Sequence, residues 1–443
     1  MKRLLAVSLS AFLLIPGMIG CEAGGGTEDH KQASIKILYY DEASYYSNYG
    51  ALFAALYPDI EVKVVPTGGI RMEDMEKWIE EQKPDVLILD DGRYETYARD
   101  GRLYDLEPLI KKDKFDLQNM APSITDAVRT IGGGKLYGLA PSFSSQALYY
   151  NKSLFDQMGI PYPTDKMSWE EVLQLARRFP SGSGGPGQRV AGLMLNPYEV
   201  HPYNSGLTIG YGQGLSYLDP DTMKMTLDTS EWKRTFQLAF DAIRSGAIYQ
   251  PAGTQSFTPG TGSQQVLEQN PFLGGKAAMT IGGSDFVQEL KRAAAVLKDR
   301  MPLWDLVTVP VDAKRPDTGN ALWLQDITAI NSGSAQVEAA WTFVRYMNGD
   351  SFARAMAKAA AGGKLTSRTA YLIDEEGRNL NVFHALKLDP NVSRGSGKVP
   401  QTFYFSFEAL AKQEIAAAYE GRKTIDEALK VLQEKGQELL GIQ

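Results

Sequence analysis

Cysteine is almost absent from this 443-residue chain: Cys21 is its only one, so no internal disulfide can form. Histidine is nearly as scarce. His30, His201 and His384 lie far apart, and no Ser–His–acid triad can be assembled from them by sequence. Asp90-Asp91 has no nearby histidine or third carboxylate to complete a cation site. No Gly-x-Ser-x-Gly stands at a strand–turn–helix junction. Gly210-Tyr-Gly-Gln-Gly214 lacks the Lys-Ser/Thr of a phosphate loop and reads as a plain loop. No cofactor, no metal and no catalytic residue are expected. Basic runs with interleaved aromatics are missing too, and 46 basic groups face 53 acidic ones, which argues against nucleic acid.

Long apolar runs are also missing, with one short exception. Lys2-Arg3, then Leu4 to Ile15, then Gly17-Met-Ile-Gly20 form a basic start, a short apolar stretch and small residues before Cys21. The apolar part is too short to span a bilayer, so residues 1–20 read as a secretory signal peptide. Without Lys2 and Arg3 the mature chain carries 44 basic groups against 53 acidic ones, a net charge of −9. A single cysteine directly after such a segment resembles a bacterial lipobox, which implies lipidation (a palmitate-type acyl anchor) at Cys21. Residues 21–34, with Gly24-Gly-Gly26, read as a flexible tether.

The length calls for two domains. Ser34 to Tyr40 alternates and reads as a strand, followed by a helical period over Ala43 to Leu56 that Pro58 stops. Ile60–Val65 and Asp85–Leu89 are further strands, each set off by helical stretches (Arg71–Gln82, Arg93–Arg99). Strand–helix alternation implies a mostly parallel sheet with covering helices, whose ligands sit at the carboxyl ends of the strands. Those ends are Tyr40-Asp41 and Asp90-Asp91. Ser168 and Glu171 form a capping box for a helix from Trp169 to Phe179, with Met167 and Val172 placed as a staple. Asp219-Pro-Asp221 is hairpin-turn chemistry, and Ser230 is expected to cap the next helix. Leu306–Pro310 and Ala321–Ile330 read as strands. Gln336–Met347 and Ile425–Leu440 read as amphipathic helices.

The stretch Gly138 to Pro161 stands between these halves: a polar crossover, Ser142 to Gln146, separates two extended runs. Tyr137-Gly-Leu-Ala-Pro141, Leu148 to Asp156, Met158-Gly-Ile160 with Ser168 to Glu171, Gly275 to Met279, Ala339 to Met347 and Gly362 to Arg368 occur in this order. The chain thereby resembles the bacterial extracellular solute-binding proteins of family 1, the sugar-binding type that serves ABC importers. The resemblance implies an α/β, two-lobed periplasmic-binding-protein-like fold (type II) with lobes discontinuous in sequence. It places lobe 1 at 35–143 and 283–332 and lobe 2 at 144–282 and 333–443. Hinges are expected near Ser142–Gln146, Thr280–Gly283 and Asn331–Ala335, with Gly282-Gly283 suited to a rotating backbone.

Aromatic faces stack on sugar rings, while carboxylates and amides take hydroxyls. The ligand candidates that this topology points to are Tyr40, Asp41, Tyr45, Asp90, Ser142, Ser144, Gln146, Tyr203, Asn204, Ser284, Asp285 and Trp323. Capping competes at Asp41 and Asp90, and core packing at Tyr45, Tyr203 and Trp323. Ser142 and Gln146 are expected to serve binding and not stability. The implied function is capture of a carbohydrate, an oligosaccharide by preference, by hinge closure in a lipid-anchored extracytoplasmic monomer. Its implied partners are the transmembrane subunits of an ABC permease. Alternatives are a non-sugar polar solute or peptide, a receptor feeding a sensor kinase, and a secreted carbohydrate-active enzyme using Asp41 and Asp90.

Overall fold

The computed structural model describes residues 33–179, 189–195, 200–219, 222–251, 267, 270–359, 363–389 and 399–441. The expected signal peptide, Cys21 and nearly all of the tether lie outside them. Fifteen strands are present among the described residues: β1 Ala33–Tyr39, β2 Ile60–Pro66, β3 Val86–Leu89, β4 Gly138–Leu139, β5 Ser142–Asn151, β6 Ala191–Met194, β7 Leu218–Asp219, β8 Lys224–Met225, β9 Ala277–Gly283, β10 Trp304–Thr308, β11 Thr318–Gly319, β12 Leu322–Trp323, β13 Ile327–Ile330, β14 Leu365–Thr366 and β15 Lys387–Leu388.

They form two principal sheets. The first has the order β2-β1-β3-β13-β4, parallel across β2, β1 and β3 and antiparallel at β13 and β4. The second has the order β10-β5-β9-β6, with β12 and β14 also on β5. Helices cover both. Phe343 and Tyr346, on the helix Val337–Met347, pack against Phe53 at 5.0 and 5.2 Å between ring centroids. A third apolar cluster joins the helices Pro202–Gly212, Ser230–Arg244, Gln401–Tyr419 and Ile425–Gly441. The β7–β8 hairpin is held there by side chains of the last helix. Gln433 accepts from Leu227 N and donates to Met225 O, while Gln437 accepts from Met225 N and donates to Met223 O.

β5 is the hub. Its start pairs with β14 (Ser142 with Thr366) and β12 (Ser144 with Trp323), its end with β9 and β10. The expected crossover at Ser142–Gln146 is therefore a continuous, hydrogen-bonded strand. Only two residues, Ala140 and Pro141, separate it from β4 in the other sheet. Ala321–Ile330 is two strands and not one: β12 lies on the second sheet and β13 on the first, with Leu324 to Asp326 passing between them. The chain returns to the second sheet at β14.

One carboxylate gathers these passages. Asp326, buried where β12 gives way to β13, accepts from Ser142 Oγ at 2.9 Å and pairs with Lys364 Nζ at 2.7 Å through Oδ2. Its Oδ1 accepts from Tyr49 Oη at 3.2 Å. Tyr49 lies in a π-helical turn, Tyr46–Gly50, inside the helical stretch after β1.

This topology corrects the expected partition in several places. β10 belongs to the second sheet, where it fills the edge of β5 and buries Trp304 and Leu306. The helices Val337–Met347 and Asp350–Ala359 pack on the first, through Phe343, Tyr346 and Phe352. Asn331–Ala335 is no crossing. Asn331 Nδ2 donates to Pro84 O, and Ser334 Oγ donates to Asp85 Oδ1, at the start of β3 and away from its carboxyl end. Gly282 and Gly283 lie within β9 and have no positive φ, so their conformational freedom is unused. Thr229, not Ser230, caps the helix Ser230–Arg244, its side chain accepting from Trp232 N. The capping box at Ser168–Glu171 is present as read.

Two predictions follow from this packing. Gly192 in β6 faces the end of the helix Trp169–Ala176, where an added Cβ would lie 2.2 Å from the Ala176 carbonyl oxygen. Gly192→Ala should therefore destabilise by about 1–3 kcal/mol, the usual cost of overpacking, read as a lower melting temperature. Asp326→Ala leaves Lys364 unpaired, but that side chain is 34% exposed. The expected loss is about 2–3 kcal/mol, below the about 3–5 kcal/mol of a fully buried pair. An unchanged melting curve for either variant would contradict the packing described.

Candidate functional site

Strand alternation makes a site at the middle of β5. Along Ser142–Asn151 only Ser144 and Gln146 are not buried, and residues two apart share a face of the sheet. Beside that face lies a cavity of about 470 Å³, within the range typical of small-ligand pockets, about 300–1,000 Å³. Its walls come from distant parts of the chain: Gln146 of β5, Trp169 at a helix start, Tyr211 near a helix end, Tyr217, the Asn320–Trp323 segment, and Tyr404.

Three exposed aromatics line the cavity. Trp323, Tyr211 and Tyr404 are 39%, 40% and 39% exposed, although most large apolar side chains of the second sheet's unit are buried. Trp323 is placed by its pairing with Ser144, and Gln146 N donates to Ala321 O at 3.1 Å, so β12 and β5 present their groups together. The Tyr211 and Tyr217 rings pack against each other, 6.2 Å between centroids. Burial, then the neighbouring Tyr404, pushes Tyr217 up to about 12, and burial raises Tyr211 further. Both phenols are therefore neutral near pH 7. Ring faces beside neutral hydroxyl and amide groups suit a ligand that is apolar on its ring faces and hydroxylated at its edges.

Of the twelve residues expected to bind, the structure brings Gln146 and Trp323 into this cavity, with Ser144 beside them. Tyr40, Asp41 and Asp90 stand at the carboxyl ends of β1 and β3. Asp91 N donates to Leu324 O at 3.0 Å, so that edge abuts the residue after Trp323. Tyr40 is exposed there. Asp41 and Asp90 act as helix caps, accepting from Ser44 N at 2.7 Å and Arg93 N at 2.9 Å. The Ser44 N–H, followed by its hydroxyl, holds the Asp41 carboxyl below the usual range.

Four residues need correction. Tyr45 is fully buried against Phe343, and Tyr203 is buried in the third apolar cluster, because the first turns of both helices aim these rings inward. Ser142 is buried and spent on Asp326, so its role is structural, contrary to expectation. Ser284 is buried and donates to Gly363 O at 2.6 Å, facing a separate small cavity of about 90 Å³. Asp285 is exposed beside Gly363, and Asn204 is half-buried in a first helical turn; neither lines the larger cavity.

Sequence reasoning missed Trp169, Tyr211, Tyr217, Asn320 and Tyr404. Gly210-Tyr-Gly-Gln-Gly214 was expected to be a loop, but the helix runs through Gly212. Its glycines are small for packing: an added Cβ at Gly210 would lie 2.3 Å from the Trp232 ring and one at Gly212 2.2 Å from Trp169 Nε1. The available signal was spacing, since Tyr211 lies two helical turns after Tyr203.

Comparison with known proteins places this arrangement. Among curated relatives, the sn-glycerol-3-phosphate-binding periplasmic protein UgpB of Rhizobium meliloti is 23% identical over 186 residues, covering 40% of this chain and 43% of that protein. The chain thus spans less than half the length of the curated relatives it matches. The sugar-binding protein MalE from Xanthomonas citri superposes with a TM-score of 0.66 at 18% identity, over 93% of this chain and 98% of that one. A sugar transporter from Rhizobium etli in an open conformation gives 0.60 at 21% identity, over 92% and 99%. A substrate-binding protein from Listeria monocytogenes in complex with cycloalternan gives 0.54 at 20%, over 93% and 99%. These likenesses give the fold, the two-lobed type II periplasmic-binding-protein architecture. The family model for bacterial extracellular solute-binding proteins matches residues 39–354. With that match across both sheets, the chain belongs to the bacterial extracellular solute-binding proteins.

Proposed function

We propose that this protein is the extracytoplasmic substrate-binding component of an ABC import system, and that its solute is a carbohydrate held in the cavity of Trp323, Tyr211, Tyr404 and Gln146. The aromatic wall carries this reading: three partly exposed rings around neutral hydroxyls and amides match a sugar's ring faces and edges. Several solved proteins of the same fold are named for sugars or were solved with one bound. In this reading lobe 1 comprises about 33–141 and 326–359, and lobe 2 about 142–323 and 363–441. Solute touching both lobes shifts an open–closed equilibrium, and the permease subunits recognise the closed form. The protein works as a monomer, binds without transforming its solute, and is held at the outer face of the membrane through acylated Cys21.

Calorimetry with maltose, maltotriose, cellobiose, xylobiose, raffinose and a cyclic gluco-oligosaccharide tests the substrate class, with a dipeptide and an amino acid as controls. At least one sugar should bind and be recovered unchanged. Trp323→Ala should weaken it about 30-fold, or about 2 kcal/mol of stacking and burial. Response to the peptide or amino acid alone would refute the carbohydrate reading. Cys21→Ser should move the protein from the membrane fraction to the medium or periplasm; an unaltered distribution would refute the anchor.

A further inference from the structure

Among the described residues, the cavity is bounded without a single Asp, Glu, Lys, Arg or His side chain. The charges nearby in sequence are committed elsewhere. Arg315, five residues before Asn320, pairs with Asp389 through Nη1, bonds Asp312 through Nε and donates to Gln213 O at 3.0 Å through Nη2. Asp326, three residues after Trp323, is saturated by Ser142, Lys364 and Tyr49.

Within this neutral wall two side-chain polar atoms are buried without a partner among the described residues, the Trp169 indole N–H, a donor, and Asn320 Oδ1, an acceptor. Asn320 Nδ2 donates to Tyr211 O at 2.5 Å. That carbonyl can only accept, so the amide orientation is settled and Oδ1 faces the other way. Oδ1 is buried and has no hydrogen-bond partner among the described residues. A buried amide oxygen without a donor is unfavourable, and its residue lines the cavity. A ligand hydroxyl would supply the missing donor. A phosphate dianion would bring further acceptor oxygens to an acceptor and lose its water with no cation to replace it.

We infer that the cavity takes an uncharged, polyhydroxylated ligand, with Asn320 Oδ1 accepting from one of its hydroxyls, and that it rejects phosphomonoesters such as the sn-glycerol 3-phosphate for which the curated relatives are named. This rests on the reading that the cavity is the solute site. Asn320 is then a specificity-determining residue on the same segment as Trp323.

Calorimetry on the mature chain should compare the tightest sugar of the panel above with sn-glycerol 3-phosphate and glucose 6-phosphate. The sugar's Kd should change less than about twofold between about 0.05 and 0.5 M salt, because no ion pair forms for salt to screen. Both phosphomonoesters should bind at least about 100-fold more weakly, as expected where a charge is buried unpaired. Asn320→Ala should weaken sugar binding about tenfold, a typical hydrogen-bond loss, with the ligand-free melting temperature within about 2 °C. One monodeoxy analogue of that sugar should bind about tenfold more weakly to the unaltered protein and lose little more in Asn320→Ala. A phosphomonoester that binds as tightly as the sugar overturns the inference and leaves the cavity's role as solute site standing. Full affinity in Asn320→Ala, or a full further tenfold loss in that variant for every monodeoxy analogue, overturns the acceptor role. If no compound binds, with or without phosphate, the underlying reading falls and the inference with it.

Discussion

The structure turns on the environment of Asp326. A carboxylate this deeply buried is tolerable only when its lone pairs are occupied, and here a serine hydroxyl, a lysine ammonium and a tyrosine hydroxyl occupy them. The donors come from the start of β5, the residue before β14 and the helical stretch after β1. The acceptor comes from the passage between β12 and β13. Every described place where the chain changes sheets is thus within hydrogen-bond reach of one side chain. Satisfying this single charge ties the two sheets together beside an apolar cluster that includes side chains of both.

That arrangement bears on how a solute could be sensed. Trp323 is three residues from Asp326, and Ser144 and Gln146 are two and four residues from Ser142. A group held against Trp323 and Gln146 is therefore held against the same backbone segments that carry the Asp326 contacts. The first sheet's unit needs no long relay to the cavity, because β12, the Leu324–Asp326 passage and the end of β3 are adjacent through the Asp91–Leu324 hydrogen bond.

Much of the fold was legible because it is local. The alternation in Ser34–Tyr39, the capping box at Ser168–Glu171 and the amphipathic run from Ile425 each depend on residues a few positions apart. What was hidden depends on partners far away. Ala321–Ile330 is one apolar run by periodicity, and only Ser144 and Leu89 decide that its halves join different sheets. Gly282-Gly283 looked like a pivot, yet close approach by Tyr149 and Phe286 accounts for Gly282 without any unusual backbone angle. Trp323 and Gln146 were singled out by their places near the crossings, and both line the cavity. Tyr203 misled because it shares a helix with Tyr211, and only the direction of the packed face separates the ring in the core from the ring at the cavity.

The hub role of β5 also governs the order in which the molecule can be completed. β5 is made early in the chain, yet its partners include β10, β12 and, last of all, β14 at Leu365–Thr366. Closing such separated pairs carries a loop-entropy cost before any ladder bond is gained, which makes folding slow. Until those partners arrive, the apolar stretch Ala147–Tyr150 has unpaired backbone on an open strand edge, where another chain could pair with it. The strand that unites the finished protein is therefore the segment most in need of shielding while the protein is still being made.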